Sequence, residues 1–267
     1  MKVKFNPIKA VSGALLSLVL AGSANAQLSK VEGVMAQEIA EKVALMEDNY
    51  GGESRKITFL IYDANDNETR REMNYFARQY DNRFDRSIVK FTYPTQLKGI
   101  RLLTHSKGVE DDEQWLFLPS IKKVKRIATS NKSGSFMGSE LSYEDISIRQ
   151  LKKYQRTLLG AEKIDGVDSY VIERIPVKKN SGYSKQVIWR DQNNLQEIKT
   201  EYYDRKGDLL KVRKSSDWNQ IGDYWRANTV EVINVQTNKR TVMKLSDIEL
   251  FQEYKDINFT SRRFKGF

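Results

Sequence analysis

The 267-residue sequence contains no cysteine, a single histidine (His105) and only four prolines. Without thiols it cannot hold a disulfide framework, a thiolate nucleophile or a cysteine-ligated zinc or iron–sulfur centre. It also lacks the cysteine that a bacterial lipid anchor needs at its cleavage point. One imidazole leaves no histidine set for a metal and makes a Ser-His-Asp relay a poor candidate. Acidic side chains are in deficit, 35 against 45 Lys and Arg. Apolar residues make up 39 % of the chain, near the low end of globular composition and far from a collagen-like or disordered one. No apolar run reaches the ~20 residues of a membrane-spanning helix.

What is present begins with a leader. Lys2, Lys4 and Lys9 precede an apolar stretch from Ala10 to Ala21, and Ala24-Asn25-Ala26 places small residues at the −3 and −1 positions. This is the layout of a secretory signal cut before Gln27. Residues 1–26 are read as the leader and 27–267 as one domain, exported to a Gram-negative periplasm. For an exported chain the basic surplus points to anionic lipid headgroups, lipopolysaccharide or an acidic protein rather than to nucleic acid.

Val34–Asp48 predicts a helix, with Ile39, Val43 and Met46 at i, i+4 and i+7 and Gly51-Gly52 ending it. From there the pattern is strand, turn, strand. Arg55–Tyr62 alternates, with Ile57, Phe59 and Ile61 on one face. Further strands follow at short intervals, separated by turn formers such as Asp63–Asn67, Asp165-Gly166, Arg205-Lys206-Gly207 and Gln236–Lys239. The expected fold is mainly β: a single antiparallel sheet of about 11 strands, curled into an incomplete, half-open barrel because so long a sheet cannot stay flat. The N-terminal helix and a short second helix near Tyr143–Gln150 are expected to cover its concave face. The start of the second is marked by Ser142-x-x-Asp145, a capping-box pattern with Asp in the Glu position. Runs such as Lys211-Val212-Arg213-Lys214 put charge on both strand faces, against an outer-membrane barrel.

Residues 112–146 carry the most specific pattern. Trp115-Leu116-Phe117-Leu118-Pro119 is followed by a basic strand, Lys123-Val124-Lys125-Arg126-Ile127. Then come the loop Gly134-Ser135-Phe136-Met137-Gly138-Ser139 and Ser142-Tyr143-Glu144-Asp145. With Phe91-x-x-Pro94 and Lys98-Gly99 upstream, this stretch resembles the outer-membrane lipoprotein-sorting proteins of the LolA-like superfamily, in the branch associated with RND-type lipid exporters. The resemblance implies a half-barrel with a helical lid over a hydrophobic cavity, no cofactor, and a cargo of lipid or acylated lipoprotein. An inner-membrane RND-type transporter is the partner it implies. Hiding an acyl chain from water is worth ~25 cal/mol per Å², and a movable lid lets such a chain enter and leave.

On this reading the cavity is lined by Ile39, Val43 and Met46 of the helix, by Ile57, Phe59 and Ile61, by Trp115 and Phe117, and by Phe136, Met137, Leu141 and Tyr143. Each is equally suited to an ordinary core. Phe136 and Met137, between two glycines, either gate the cavity mouth or pack statically on the barrel. Phe136→Asp is expected to weaken lipid binding and leave the fold intact. Lys122, Lys123, Lys125 and Arg126 form a basic cluster for a headgroup or partner, or a solvated face that discourages edge pairing. Phe259, Phe264 and Phe267 either dock on the barrel or meet a partner. The competing functions are a lipid or lipoprotein sensor that binds without transport and, less favoured, a periplasmic hydrolase. Glu140, Glu144 and Asp145 are carboxylates without a nucleophile beside them.

Overall fold

A computed structural model describes residues 28–80, 85–107, 110–147 and 151–267; the leader expected over 1–26 lies outside them. Its α-helix, α1 (Ala36–Met46), starts where the Glu38 carboxylate accepts the Met35 N–H at 3.2 Å. It stops before Asn49 and Gly51, whose φ values of 66° and 70° are left-handed. Thirteen antiparallel strands follow. The first six are β1 (Gly52–Tyr62), β2 (Glu68–Arg78), β3 (Arg86–Tyr93), β4 (Arg101–His105), β5 (Glu113–Leu118) and β6 (Lys123–Arg126). The second run is β7 (Tyr154–Ile164), β8 (Val167–Pro176), β9 (Lys185–Asp191), β10 (Glu197–Tyr203), β11 (Leu209–Ile221), β12 (Tyr224–Asn234) and β13 (Lys239–Leu250).

The two runs are meanders, joined in the middle of one sheet by the long-range pairing of β1 with β13, Phe59 opposite Met243. The order is β6-β5-β4-β3-β2-β1-β13-β12-β11-β10-β9-β8-β7. The sheet therefore stays open, as an incomplete barrel, and its edges β6 and β7 are consecutive in the chain. The described residues 127–147 leave the β6 edge and cross toward the β7 side. Register breaks at Ser54/Lys56, Glu72/Met73 and Leu158/Gly160 bend individual strands.

Period-two alternation sorts the side chains to two faces. Ile57, Phe59, Met73, Val89, Phe91, Leu102, Val230, Val232 and Leu245 form the main cluster with Phe136 and Leu141 of the crossing segment. On the opposite face, Ile88, Leu103 and Phe117 are covered by Phe259 and Phe264, with Trp115, Phe76 and Phe267 beside them. The C-terminal aromatics thus dock on the outside of the barrel. His105 is part of that contact: its Nε2 lies 2.6 Å from the Phe259 carbonyl and its ring meets Trp115 at 4.8 Å, while burial lowers its pKa.

The edges are handled differently. All four residues of β6 are exposed, with charge on both faces, which deters further pairing. β7 is instead capped by the N-terminal segment, where Ser29 and Ala161 exchange N–H···O bonds of 2.9 and 3.0 Å. The second helix expected near Tyr143–Gln150 is, over its described residues 143–147, a run of turns. The capping box forms nonetheless: the Ser142 N–H donates to Asp145 Oδ2 at 2.7 Å and the Asp145 N–H to Ser142 Oγ at 3.1 Å. Asp145 is held by further partners that fix it as an anchor of the crossing segment rather than as the start of a helix.

Candidate functional site: a roofed cavity

A cavity of about 550 Å³ lies between α1 and the concave face, within the range of small-molecule pockets. Its roof is a stripe of α1: Ala36, Ile39, Ala40, Val43, Ala44 and Glu47 all line it. These recur at i, i+3, i+4, i+7, i+8 and i+11, one face of a helix. Three of the six are alanines, so the roof sits over the sheet without filling the space beneath. α1 rests at its start on β8 and β7, where Ala36 and Ile39 meet Ile172 and Leu158. Its end is latched farther along the sheet, to β12: Glu47 pairs with Arg226 Nη1 at 2.8 Å, and Tyr224 Oη donates to the Asp48 carbonyl at 2.7 Å.

The apolar wall consists of Ile57, Phe59, Met73, Val89, Val230 and Leu245 from the strands, closed at one end by Phe136 and Leu141. Phe136 is 1 % exposed. Its ring makes edge contacts with Phe59 (6.4 Å) and Tyr143 (5.4 Å) and a tilted one with Phe91 (5.9 Å). The loop that delivers it turns through Met137 and Gly138, with left-handed φ values of 53° and 76°. It is closed by Ser139 Oγ donating to the Phe136 carbonyl at 2.7 Å and Ser135 Oγ to the Ser139 carbonyl at 2.6 Å. The Glu140 N–H reaches Thr241 Oγ1 on β13 at 2.9 Å, fastening the loop to the centre of the sheet. Phe136 is thus a packed plug at the cavity's end.

The lining also carries buried charge, and more lies just beyond it. Glu53 holds Arg55 at 2.7 Å and Arg226 at 3.1 Å, and Glu197 holds Arg213 at 2.6 Å and Arg190 at 3.3 Å. Lys211 Nζ meets Asp145 Oδ2 at 2.5 Å and the Glu140 carbonyl at 2.9 Å, and Asp145 also accepts the Tyr183 hydroxyl at 2.8 Å. Burial alone would push the Asp145 carboxyl up; the Lys211 ammonium and these hydrogen bonds outweigh it and hold its pKa below the usual value. Glu47 and Glu144 are raised, chiefly by burial. Glu144 spends its carboxylate on Ser181 Oγ and the Gly182 N–H, at 2.6 and 2.8 Å. The Glu144 and Asp145 carboxylates anchor the crossing segment to β11 and to residues 181–183.

Of the residues that sequence reading placed in the cavity, Ile39, Val43, Ile57, Phe59, Phe136 and Leu141 line it. Ile61, Met137 and Tyr143 pack against the main cluster beyond its wall. Met46 is 36 % exposed, because it sits roughly a quarter turn from the centre of the stripe at 3.6 residues per turn. Trp115 and Phe117 lie on the outer face. On β5 it is Leu116 and Leu118 that point to the concave cluster. Lys122, Lys123, Lys125 and Arg126 stand exposed around β6, away from the cavity, with Arg126 paired to Glu113 at 2.6 Å. Two features were missed. The alanines of α1 were hidden by attention to large side chains. The lining arginines were visible only as strand parity: Arg55 precedes Ile57 by two, and Arg174 and Arg190 follow Ile172 and Ile188 by two.

Comparison with known proteins agrees with this architecture. Residues 83–266 match the model of a family described as "Uncharacterized protein". A domain from Vibrio parahaemolyticus, named as an outer membrane lipoprotein-sorting protein, is 37 % identical with a TM-score of 0.83, over 86 % of this chain and 97 % of that one. A DUF1329 family protein of Desulfovibrio piger is 28 % identical with a TM-score of 0.80, over 84 % and 95 %. A LolA superfamily protein of Nitrosomonas europaea shares the fold at 23 % identity and a TM-score of 0.70, over 85 % and 98 %. Among curated proteins none matches the sequence. The incomplete barrel, its helical roof and the cavity between them define a carrier-type binding fold. The chain belongs to the family of outer-membrane lipoprotein-sorting domains, and it shares the fold of the LolA superfamily.

Proposed function

We infer that the protein carries a lipid or the acyl chain of a lipoprotein through the periplasm, exported by the leader at 1–26 and working without a cofactor. The observation that carries this reading is the cavity itself: about 550 Å³ of space, apolar along β1, β2 and β12, under a helix whose inward stripe is half alanine. A folded protein does not leave such space unfilled at no cost, because apolar voids forfeit packing. The relative named for lipoprotein sorting supports the same reading. Loading requires α1 to lift, and the Glu47–Arg226 pair, half-exposed at its glutamate, is the contact that yields. The basic surface around β6 is the part we assign to anionic headgroups or to an RND-type exporter that supplies or accepts the cargo.

Occlusion tests this directly. Ala40 faces the cavity from the roof, so Ala40→Trp fills space that the cargo needs. Displacing two methylenes, at about 0.8 kcal/mol each, weakens binding roughly tenfold. Titration with dansyl-undecanoate is expected to show that loss with the melting temperature unchanged or higher. Unchanged affinity would remove the cavity as the binding site. A carrier also accelerates transfer of a fluorescent phospholipid between donor and acceptor liposomes; binding without acceleration would identify a sensor instead.

A further inference from the structure

The charges lining the cavity are matched, with one exception. Four of its arginines are paired with Glu53 or Glu197, whereas Arg156 and Arg174 have no carboxylate within ion-pair distance among the described residues. The two stand directly opposite each other on β7 and β8. Both reach the same ring, Tyr154, with guanidinium carbons 5.9 and 4.7 Å from its centre. Arg174 is 6 % exposed, and among the described residues its guanidinium donates from Nε, to Gln186 at 2.6 Å. Arg156 turns one nitrogen to the Leu151 and Tyr154 carbonyls, at 2.6 and 2.9 Å. Burial, with the neighbouring Arg174 charge, brings its pKa down to about 10, so Arg156 remains a cation at neutral pH. Two like charges directly across a ladder repel, and burying them without a counterion costs free energy. That arrangement is what an anion bound between them would relieve. Paired guanidiniums suit the flat, multi-oxygen geometry of carboxylate or phosphate.

We propose that Arg156 and Arg174 form a headgroup site inside the cavity, so that the cargo is an amphiphile with one anionic head, phosphate or carboxylate, at β7–β8 and its chain along the apolar wall beneath α1. This rests on the carrier reading and narrows it, because a fully acylated lipoprotein terminus brings no such anion. The same cavity then separates ligands by head as well as by tail.

Matched ligands test the site. Dodecyl phosphate, dodecanoate and dodecyl maltoside share a tail and differ in head; Trp218 and Trp225, which line the cavity, report binding by fluorescence below the micelle concentrations. The two anions are expected to bind roughly tenfold to hundredfold more tightly than the maltoside, the range of one net charge-assisted hydrogen bond. Inorganic phosphate alone is expected to bind far more weakly than dodecyl phosphate, which separates a lipid head from a free-anion site. In the double variant Arg156→Gln/Arg174→Gln the anionic preference is expected to vanish while maltoside affinity stays at the wild-type value. Arg174→Lys, which keeps the charge, is expected to retain part of the preference. Equal affinity for all three heads in the wild type, or a preference that survives the double variant, would overturn the headgroup site and leave the carrier reading standing. Binding of none of the dodecyl ligands would overturn both. Tight binding of inorganic phosphate without a tail would make this an anion site unrelated to cargo.

Discussion

Truncating Phe136 to alanine is expected to cost about 3–5 kcal/mol of stability, the range for removing a buried aromatic ring. The ring has three aromatic neighbours, is almost wholly inaccessible, and belongs to the main cluster with Phe59 and Phe91. Its loop is bonded to β13 through Thr241 and cannot collapse into the vacated space without breaking that bond. The cost therefore falls at the high end rather than the low. Urea unfolding monitored by tyrosine and tryptophan fluorescence measures it; a loss below about 1 kcal/mol would mean that Phe136 is a surface flap and not a plug. The same geometry changes the meaning of Phe136→Asp. Read from sequence, it is a gate variant that spares the fold. Placed among three rings, an aspartate is a buried charge with no partner, and the variant is expected to unfold rather than merely to release ligand.

Lys211→Met is expected to cost a similar ~3–5 kcal/mol at neutral pH, because it strands the Asp145 carboxylate in a buried site. Both side chains are about 5 % exposed, at 5 % and 4 %. The sign of the pH dependence follows from the lowered Asp145 pKa. The native carboxylate contributes stability above its unfolded value, near ~4, and loses it as pH falls through the lower folded value. In Lys211→Met the attraction is gone and burial takes over, so protonating Asp145 helps the variant instead of harming it. The gap between wild type and variant is therefore expected to narrow as pH drops from 7 toward 3. A gap of constant size across that interval would show that Lys211 stabilises by packing, not by charge. Lys211 and Asp145 also tie β11 to the crossing segment, so the plug and its anchor are expected to fail together.

Much of this was legible in the chain. Alternation in Arg55–Tyr62 located β1 and its inward face, the turn formers separated the strands, and the Ser142–Asp145 pair marked a real capping interaction. Legibility stopped where the answer depended on distant partners. On β5, residues 115–118 are apolar at every position, so parity alone cannot say which pair faces inward. The aromatics from Phe259 onward decide it by covering Trp115 and Phe117 from outside. The pairing of β1 with β13, nearly 200 positions apart as in Glu53 with Leu250, leaves no local trace and fixes where the open seam falls. For α1, large residues drew the eye to Ile39, Val43 and Met46, while the emptiness of the cavity is built by Ala36, Ala40 and Ala44. The arginines showed the right parity, but only three-dimensional contacts distinguish the four that are matched from the two that are not.

Because β6 and β7 are neighbours in sequence yet terminate opposite sides of the sheet, no ladder of hydrogen bonds zips the barrel shut. The mouth can widen like a clasp, by small changes in twist spread over thirteen strands, without tearing any strand from its neighbour. The described residues 127–147 are themselves fastened to the sheet, where the Glu140 N–H meets Thr241 and its carbonyl meets Lys211. Room beneath α1 is then a property of sheet twist rather than of broken strand pairs.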